Sequence, residues 1–261
     1  MKIKAILPWL LLVFLAIIWG SSFILIKRAL LAFSWDQVAV LRISIAMFIM
    51  MPLLPSQLKK MDWSKWKGVL VMATFGNAIP AFLYPIAQTQ MDSSLVGVLN
   101  SLTPLMVFIF GVIILHQKVI QRKILGLIVG LIGTAVLILY GQQIDENSNN
   151  WYGLFALLAC VCYGYSTVII KRDLQNISPF TSSPIAFLMV GPFALLYLFN
   201  TDFLTTLQTH PDGYTSLFSV MTLAMLSTVL ATIVFLKVIQ MTNALFASMV
   251  SYLIPITAIP K

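Results

Sequence analysis

Nine apolar stretches follow one another along this chain, at about 5–26, 37–55, 68–88, 94–115, 123–140, 151–170, 180–199, 214–236 and 244–260, with only short polar connections between them. No other feature restricts the fold as strongly. A bilayer core is crossed by roughly 20 apolar residues in a helix. Inside it every backbone N–H and C=O must bond within the protein, so only helices and closed barrels span it. A barrel would alternate apolar and polar residues over about ten positions, and these stretches do not. Helices at the surface of a soluble domain would carry a polar face, and most of these have none. The pattern predicts an all-α integral membrane protein.

The charges show how such a chain is threaded. Charged residues make up 9% of it, against about 25% in ordinary globular chains, and the mean hydropathy is +0.96. The net charge of +8 sits in loops. With the N-terminus inside, the inner side collects Lys2, Lys4, Lys59, Lys60, Lys65, Lys67, Lys118, Arg122, Lys123, Lys171, Arg172 and Lys237. The outer side holds Lys27, Arg28 and Lys261, together with Asp92, Asp145, Glu146, Asp202 and Asp212. That is the positive-inside bias of a multi-pass protein in a cytoplasmic (inner) membrane. The basic balance therefore reports topology, and no nucleic-acid partner is expected. The first apolar run is longer than the 7–15 residues of a signal-peptide core and lacks a cleavage site, so it reads as a spanning helix. Cys160 and Cys162, two apart in one helix, form neither a disulfide framework nor a metal cluster.

The chain also repeats itself. WGSSFILIKR at 19–28 returns as YGYSTVIIKR at 163–172, 144 positions on. SSLVGVLNSLTP at 93–104 is matched by ALFASMVSYLIP at 244–255, 151 positions on, with Asn100 opposite Ser251 and Pro104 opposite Pro255. Five helices separate the copies, and five is odd, so the second half runs through the membrane in the opposite sense. Inverted-topology repeats are a hallmark of secondary transporters. The expected domains are 1–141, with five helices, and 151–261, with helices six to nine.

WGSSFILIKRAL, AVLRISIAMFIMMPLL (38–54), SSLVGVLNSLTPLMVFIFG (93–111) and KILGLIVGLIGTAVLILYG (123–141) together resemble the EamA-type transporters of the drug/metabolite transporter superfamily. The resemblance implies a ten-helix carrier of two inverted five-helix repeats that moves amino acids or similar metabolites, with export the implied direction. Two features depart from it. The family glutamate after helix four is replaced within LHQKV (115–119) by Gln117, and a tenth helix is expected beyond Lys261, at about 274–291.

A carrier needs polar groups facing a cavity near the midplane. The sequence offers Trp19, Ser21 and Ser22 in helix one; Asn77, Tyr84 and Gln88 in helix three; and Asn100, Ser101 and Thr103 in helix four. The second half offers Tyr163, Tyr165 and Ser166 in helix six, Ser227, Thr228 and Thr232 in helix eight, and Ser251 and Tyr252 in helix nine. Trp19, Asn77, Tyr84, Asn100, Ser101, Tyr163, Ser251 and Tyr252 are selected as the solute-binding set. Small hydroxyls equally serve by bonding their own i−4 carbonyl or by letting helices approach; the two asparagines lack an obvious partner within a regular helix. Arg42, the one charge well inside a span, is a candidate anion contact or a ligand of helix-end carbonyls. Pro104 and Pro255 remove backbone donors and are candidate hinges. Helices one, three, four, six, eight and nine are expected around the cavity, and two, five and seven toward lipid.

No carboxylate lies within a predicted span, which disfavours coupling through a membrane Asp or Glu. An enzyme would need an acid–base or ligand cluster, and His116 and His210 lie in loops on opposite sides. No metal or cofactor is expected; the partners are a small solute and lipid. A non-transporting scaffold or receptor, or a truncated inactive carrier, is the alternative reading.

Overall fold

In a computed structural model the protein is described over residues 2–118, 121–141 and 150–257, without the side chains of 2–5, 122–123, 131, 134–135, 137–141, 150 and 257. Asp145, Glu146 and Lys261, placed on the outer side from sequence, lie outside the described residues, as does the expected end of helix nine. Among the described residues all regular structure is helical. The elements are α1 (Lys2–Ala29), α2 (Trp35–Leu58), α3 (Trp63–Gln90), α4 (Ser93–Leu115), α5 (Gln121–Gly141), α6 (Gly153–Asp173), α7 (Pro179–Leu198), α8 (Gly213–Met241) and α9 (Ala244–Ile256). A short helix, Phe203–Thr209, in the connection between α7 and α8 was not expected from the sequence.

Local chemistry sets the ends. Gln37 Oε1 accepts from Ser34 N at the start of α2 (3.1 Å), and Asn243 Oδ1 from Phe246 N at the start of α9 (2.9 Å). These are N-terminal donors that a helix cannot satisfy for itself. Before α3, Asp62 accepts from the Ser64 backbone and hydroxyl (3.0 and 2.7 Å), bonds that hold its carboxyl below the usual carboxylate range. Large apolar side chains cover the outside: Phe193, Phe218 and Ile113 are 73%, 70% and 62% exposed. Hydrocarbon solvates such a surface; water would not.

The contacts carry the inverted symmetry. α4 packs along α6 as α9 packs along α1, and α3 meets α6 as α8 meets α1; α2 and α7, equivalent in the two halves, pack on each other. Individual hydrogen bonds repeat as well. Lys27 Nζ, at the end of α1, donates to Gln88 O and Met91 O at the end of α3 (2.9 and 3.3 Å). Lys171 Nζ, 144 positions on, donates to Ile239 O and Thr242 O at the end of α8 (3.1 and 2.9 Å), the carbonyls 151 positions beyond Gln88 and Met91. Gln37 Nε2 donates to Asp202 Oδ1 (2.8 Å), and Thr181 Oγ1, 144 positions beyond Gln37, donates to Gln57 Oε1 (2.9 Å), a similar bridge with its acceptors one residue out of register. Ser216 Oγ donates to Arg28 O (3.0 Å), so α8 begins beside the end of α1. It ends beside Lys171. The ends of α1 and α6 therefore lie on opposite faces, and the halves run in opposite senses.

Close approach of the halves depends on small residues. A Cβ on Gly164 of α6 would meet Met106 C at 2.9 Å and Val107 N at 3.0 Å, both backbone atoms of α4. Only glycine permits that crossing.

Candidate functional site

The helices that meet at the centre are irregular there, at equivalent places in the two halves. α3 widens into a π-helical segment at Thr74–Ala78, and α8 does so at Leu223–Leu230. A π turn takes a carbonyl out of the ordinary i→i+4 ladder, and a side chain five residues on meets it in both cases. Asn77 Nδ2 donates to Met72 O (2.9 Å), and Thr228 Oγ1 donates to Leu223 O (3.3 Å). Thr228 is Asn77's counterpart and Leu223 is Met72's, each 151 positions on. The sequence reading that a helical asparagine has no partner in its own helix is corrected here: the π turn creates one.

α4 tightens into a 3-10 turn at Asn100–Leu102. Pro104 follows it and has no N–H for Asn100 O, which accepts from Thr103 N instead. α9 breaks at Met249, whose carbonyl accepts from Tyr252 N three residues on (3.0 Å). Pro255 follows inside the next helical segment.

These irregularities surround a cavity of about 890 Å³, its open mouth included, bounded by α1, α2, α3, α4, α6, α8 and α9. Trp19, Phe23, Tyr84, Tyr163 and Phe235 give it aromatic walls. The Tyr84 and Tyr163 rings stack at 6.0 Å, and Phe23 and Trp19 meet Tyr84 and Phe235 edge-on at 5.4 and 5.2 Å. Tyr84 OH donates to Asn100 Oδ1 (2.5 Å), which also accepts from Thr103 Oγ1 (3.1 Å). Trp19 Nε1 donates to Ser227 O (3.0 Å) and ties α1 to α8.

Arg42 of α2 reaches this cavity. Its Nε donates to Thr228 Oγ1 (2.5 Å) on the π segment of α8, and its terminal amino groups have no hydrogen-bond partner among the described residues. A guanidinium at mid-membrane costs about 2.5–3.5 kcal/mol on insertion scales, and its planar fork suits a carboxylate or phosphate. Among the described residues no carboxylate lines the cavity, and the one ion pair, Arg172–Asp173 (2.8 Å), lies at the end of α6. The expectation that α2 faces lipid is thus corrected, because this helix supplies the cavity's charge. Asp36, in the first turn of α2, accepts from Tyr197 OH of α7 (3.0 Å).

Trp19, Asn77, Tyr84, Asn100 and Tyr163 of the selected set come together on the cavity wall, and Arg42 joins them. Ser101, Ser251 and Tyr252 are not among the lining residues. Ser101 Oγ turns back to Val98 O (2.6 Å), and Ser251 is buried between helices. Tyr252 crosses to α5, where its hydroxyl donates to Leu127 O (3.4 Å) and its ring fills the space above Gly130. Pro104 and Pro255 act on backbone geometry behind the wall. Gly76, Thr167 and Ser248 line the cavity as well. The sequence reading did not select them, since small residues on an apolar helix look alike wherever they face.

A cavity between two inverted helical halves, with a few polar side chains set among aromatic and aliphatic ones, is the arrangement of a multi-pass membrane transporter. The EamA-like transporter family model matches residues 7–139 and again 150–260, and the chain belongs to that family. It is 25% identical over 202 residues to an uncharacterized transporter of Archaeoglobus fulgidus, an alignment covering 76% of this chain and 69% of that one. A solved crystal structure of another protein matches 96% of this chain and 85% of its own, with a TM-score of 0.65 and 16% identity, a likeness of fold alone.

Proposed function

We propose that this transporter exports a small carboxylate-bearing metabolite, an amino acid or similar solute, across the cytoplasmic membrane by alternating access. The observation that carries the reading is Arg42: a cation at the junction of the halves, with spare donors and no carboxylate lining the cavity beside it among the described residues. A buried charge of this kind is costly unless an anion joins it, and a carboxylate from the solute supplies one. The positive-inside distribution of Lys and Arg supports a cytoplasmic N-terminus. The inverted repeat supports rocking of one half against the other about a central site. Domains of 1–141 and 151–261 remain part of this proposal, with Pro104 and Pro255 as its hinges.

Counterflow in proteoliposomes, with a panel of carboxylate solutes and their carboxamides, tests the reading. Uptake of at least one carboxylate, in preference to its amide, is expected. R42Q removes a charged hydrogen-bond donor, worth about 1.5–3 kcal/mol, and should raise the carboxylate's KM roughly 10- to 150-fold while narrowing its advantage over the amide. Equal handling of acid and amide by the wild type, or no flux above protein-free liposomes, would reject it.

A further inference from the structure

The cavity's two sides are equivalent by the repeat but not in chemistry. On the side of α8, the Ser227 hydroxyl donates to Ile18 O of α1 (3.3 Å), Trp19 closes the same junction, and Arg42 holds Thr228. Across the pseudo-twofold axis each of these is replaced. Ser227's counterpart is Gly76, Trp19's is Tyr163, and Arg42's is Ala186, a fully buried methyl. The equivalence of Arg42 and Ala186 follows from the helix starts, since Ser34 precedes α2 as Ser178 precedes α7, 144 positions on.

Ser166 bears the consequence. Its counterpart Ser22 bonds its own helix, donating to Trp19 O (2.6 Å), as serines in helices commonly do. Ser166 does not. It is 1% exposed, lines the cavity, and its hydroxyl has no hydrogen-bond partner among the described residues. The bare α-carbon of Gly76 opens the space in front of it: a Cβ there would sit 2.6 Å from Ser166 Oγ. Beside Gly76, Asn77 spends its amide N–H on Met72 O, while its Oδ1 has no bond among the described residues and the residue is only half-buried.

We propose that Ser166 and Asn77 form an uncharged subsite, opposite Arg42, that binds a neutral hydrogen-bonding group of the carried solute, a hydroxyl or a carboxamide. A hydroxyl that both donates and accepts, beside a free amide oxygen, matches groups with the same double character. A cationic tail, unlike an α-ammonium that stays beside the solute's own carboxylate, would enter without a carboxylate among the described lining residues and would lose its hydration uncompensated. An apolar tail would leave Ser166 unpaired, and a buried polar group left unpaired is the main source of strong discrimination between isosteres. The inference rests on the transport reading above and narrows its substrate class to a carboxylate with a neutral polar group at its far end.

The test is counterflow with solute pairs that keep the carboxylate and differ at the tail: threonine against valine, and glutamine against norleucine. The wild type is expected to favour the polar member of at least one pair by about tenfold or more. S166A should reduce that preference to within about threefold. Its melting temperature in detergent should not fall, because it removes a hydroxyl that has no bond to lose. G76A, whose methyl occupies the same space, should likewise collapse the preference. Flux of both members without discrimination by the wild type, or a preference that survives in both S166A and G76A, overturns the subsite and leaves the transport reading standing. No flux for any carboxylate overturns both.

Discussion

The crossing of α4 and α6 at Gly164 can be tested with a single methyl group. In G164A the new Cβ would stand 2.5 Å from Met106 Cβ, 2.9 Å from Met106 C and 3.0 Å from Val107 N. Carbon atoms rest at about 3.5–4.0 Å. None of these contacts is relieved by side-chain rotation, since a Cβ is fixed by its backbone and the other two atoms belong to the helix itself, so the helices must separate by about 1 Å. Overpacking of this kind costs about 1–3 kcal/mol. At about 2–4 °C per kcal/mol for chains approaching this length, the midpoint of unfolding in detergent should fall by roughly 2–12 °C. The functional effect follows from the neighbours. Tyr163, one residue away, stacks on Tyr84, which bonds Asn100 of α4. Separating the helices opens that wall, and counterflow should weaken along with stability. G126A and G133A on α5 are the controls, because among the described residues nothing lies within 4 Å of either added methyl. Helix propensity slightly favours alanine there. If G164A melts with G126A and carries solute at the wild-type rate, the argument from close approach is wrong.

Two further outcomes follow from the geometry. K171M should destabilise the protein more than K27M, because both lysines hold two helix-end carbonyls but Lys171 is half-buried and Lys27 is exposed; charged hydrogen bonds are worth about 1.5–3 kcal/mol when shielded and under about 1 at the surface. Parallel thermal melts check the order, and equal losses would refute it. With no carboxylate among the described lining residues, solute flux should depend only weakly on an imposed proton gradient, and uphill accumulation abolished by an uncoupler would refute that.

The repeat was legible because it is written in residues whose positions backbone chemistry restricts. Lys27 and Lys171 end helices, Pro104 and Pro255 cannot donate, and both pairs kept their spacing. Spans were legible from hydropathy, and their positions agree with the helices to within a few residues, the start of α3 and the end of α8 being the furthest out. Cavity residues were legible where a group is too large or too polar to face lipid, as with Trp19, Asn77, Arg42 and Tyr163. They were not legible where several serines share a helix. Ser101 is next to Asn100 and Ser251 next to Tyr252, and a 100° step per residue cannot decide between neighbours once a 3-10 turn or a break has reset the phase.

By itself, then, the sequence determined that this chain spans a membrane in two inverted halves. Apolar length and charge placement act locally and survive any arrangement of the helices. Only the tertiary structure decided what the cavity is. The π segments bring Asn77 to Met72 O and Thr228 to Leu223 O, while Arg42 meets Thr228 across 186 positions of chain. Ser166 has no partner among the described residues, and the residue facing it from α3 is a glycine. Each of these depends on which helix faces which at the midplane, a property of packing that the order of residues along one helix does not contain.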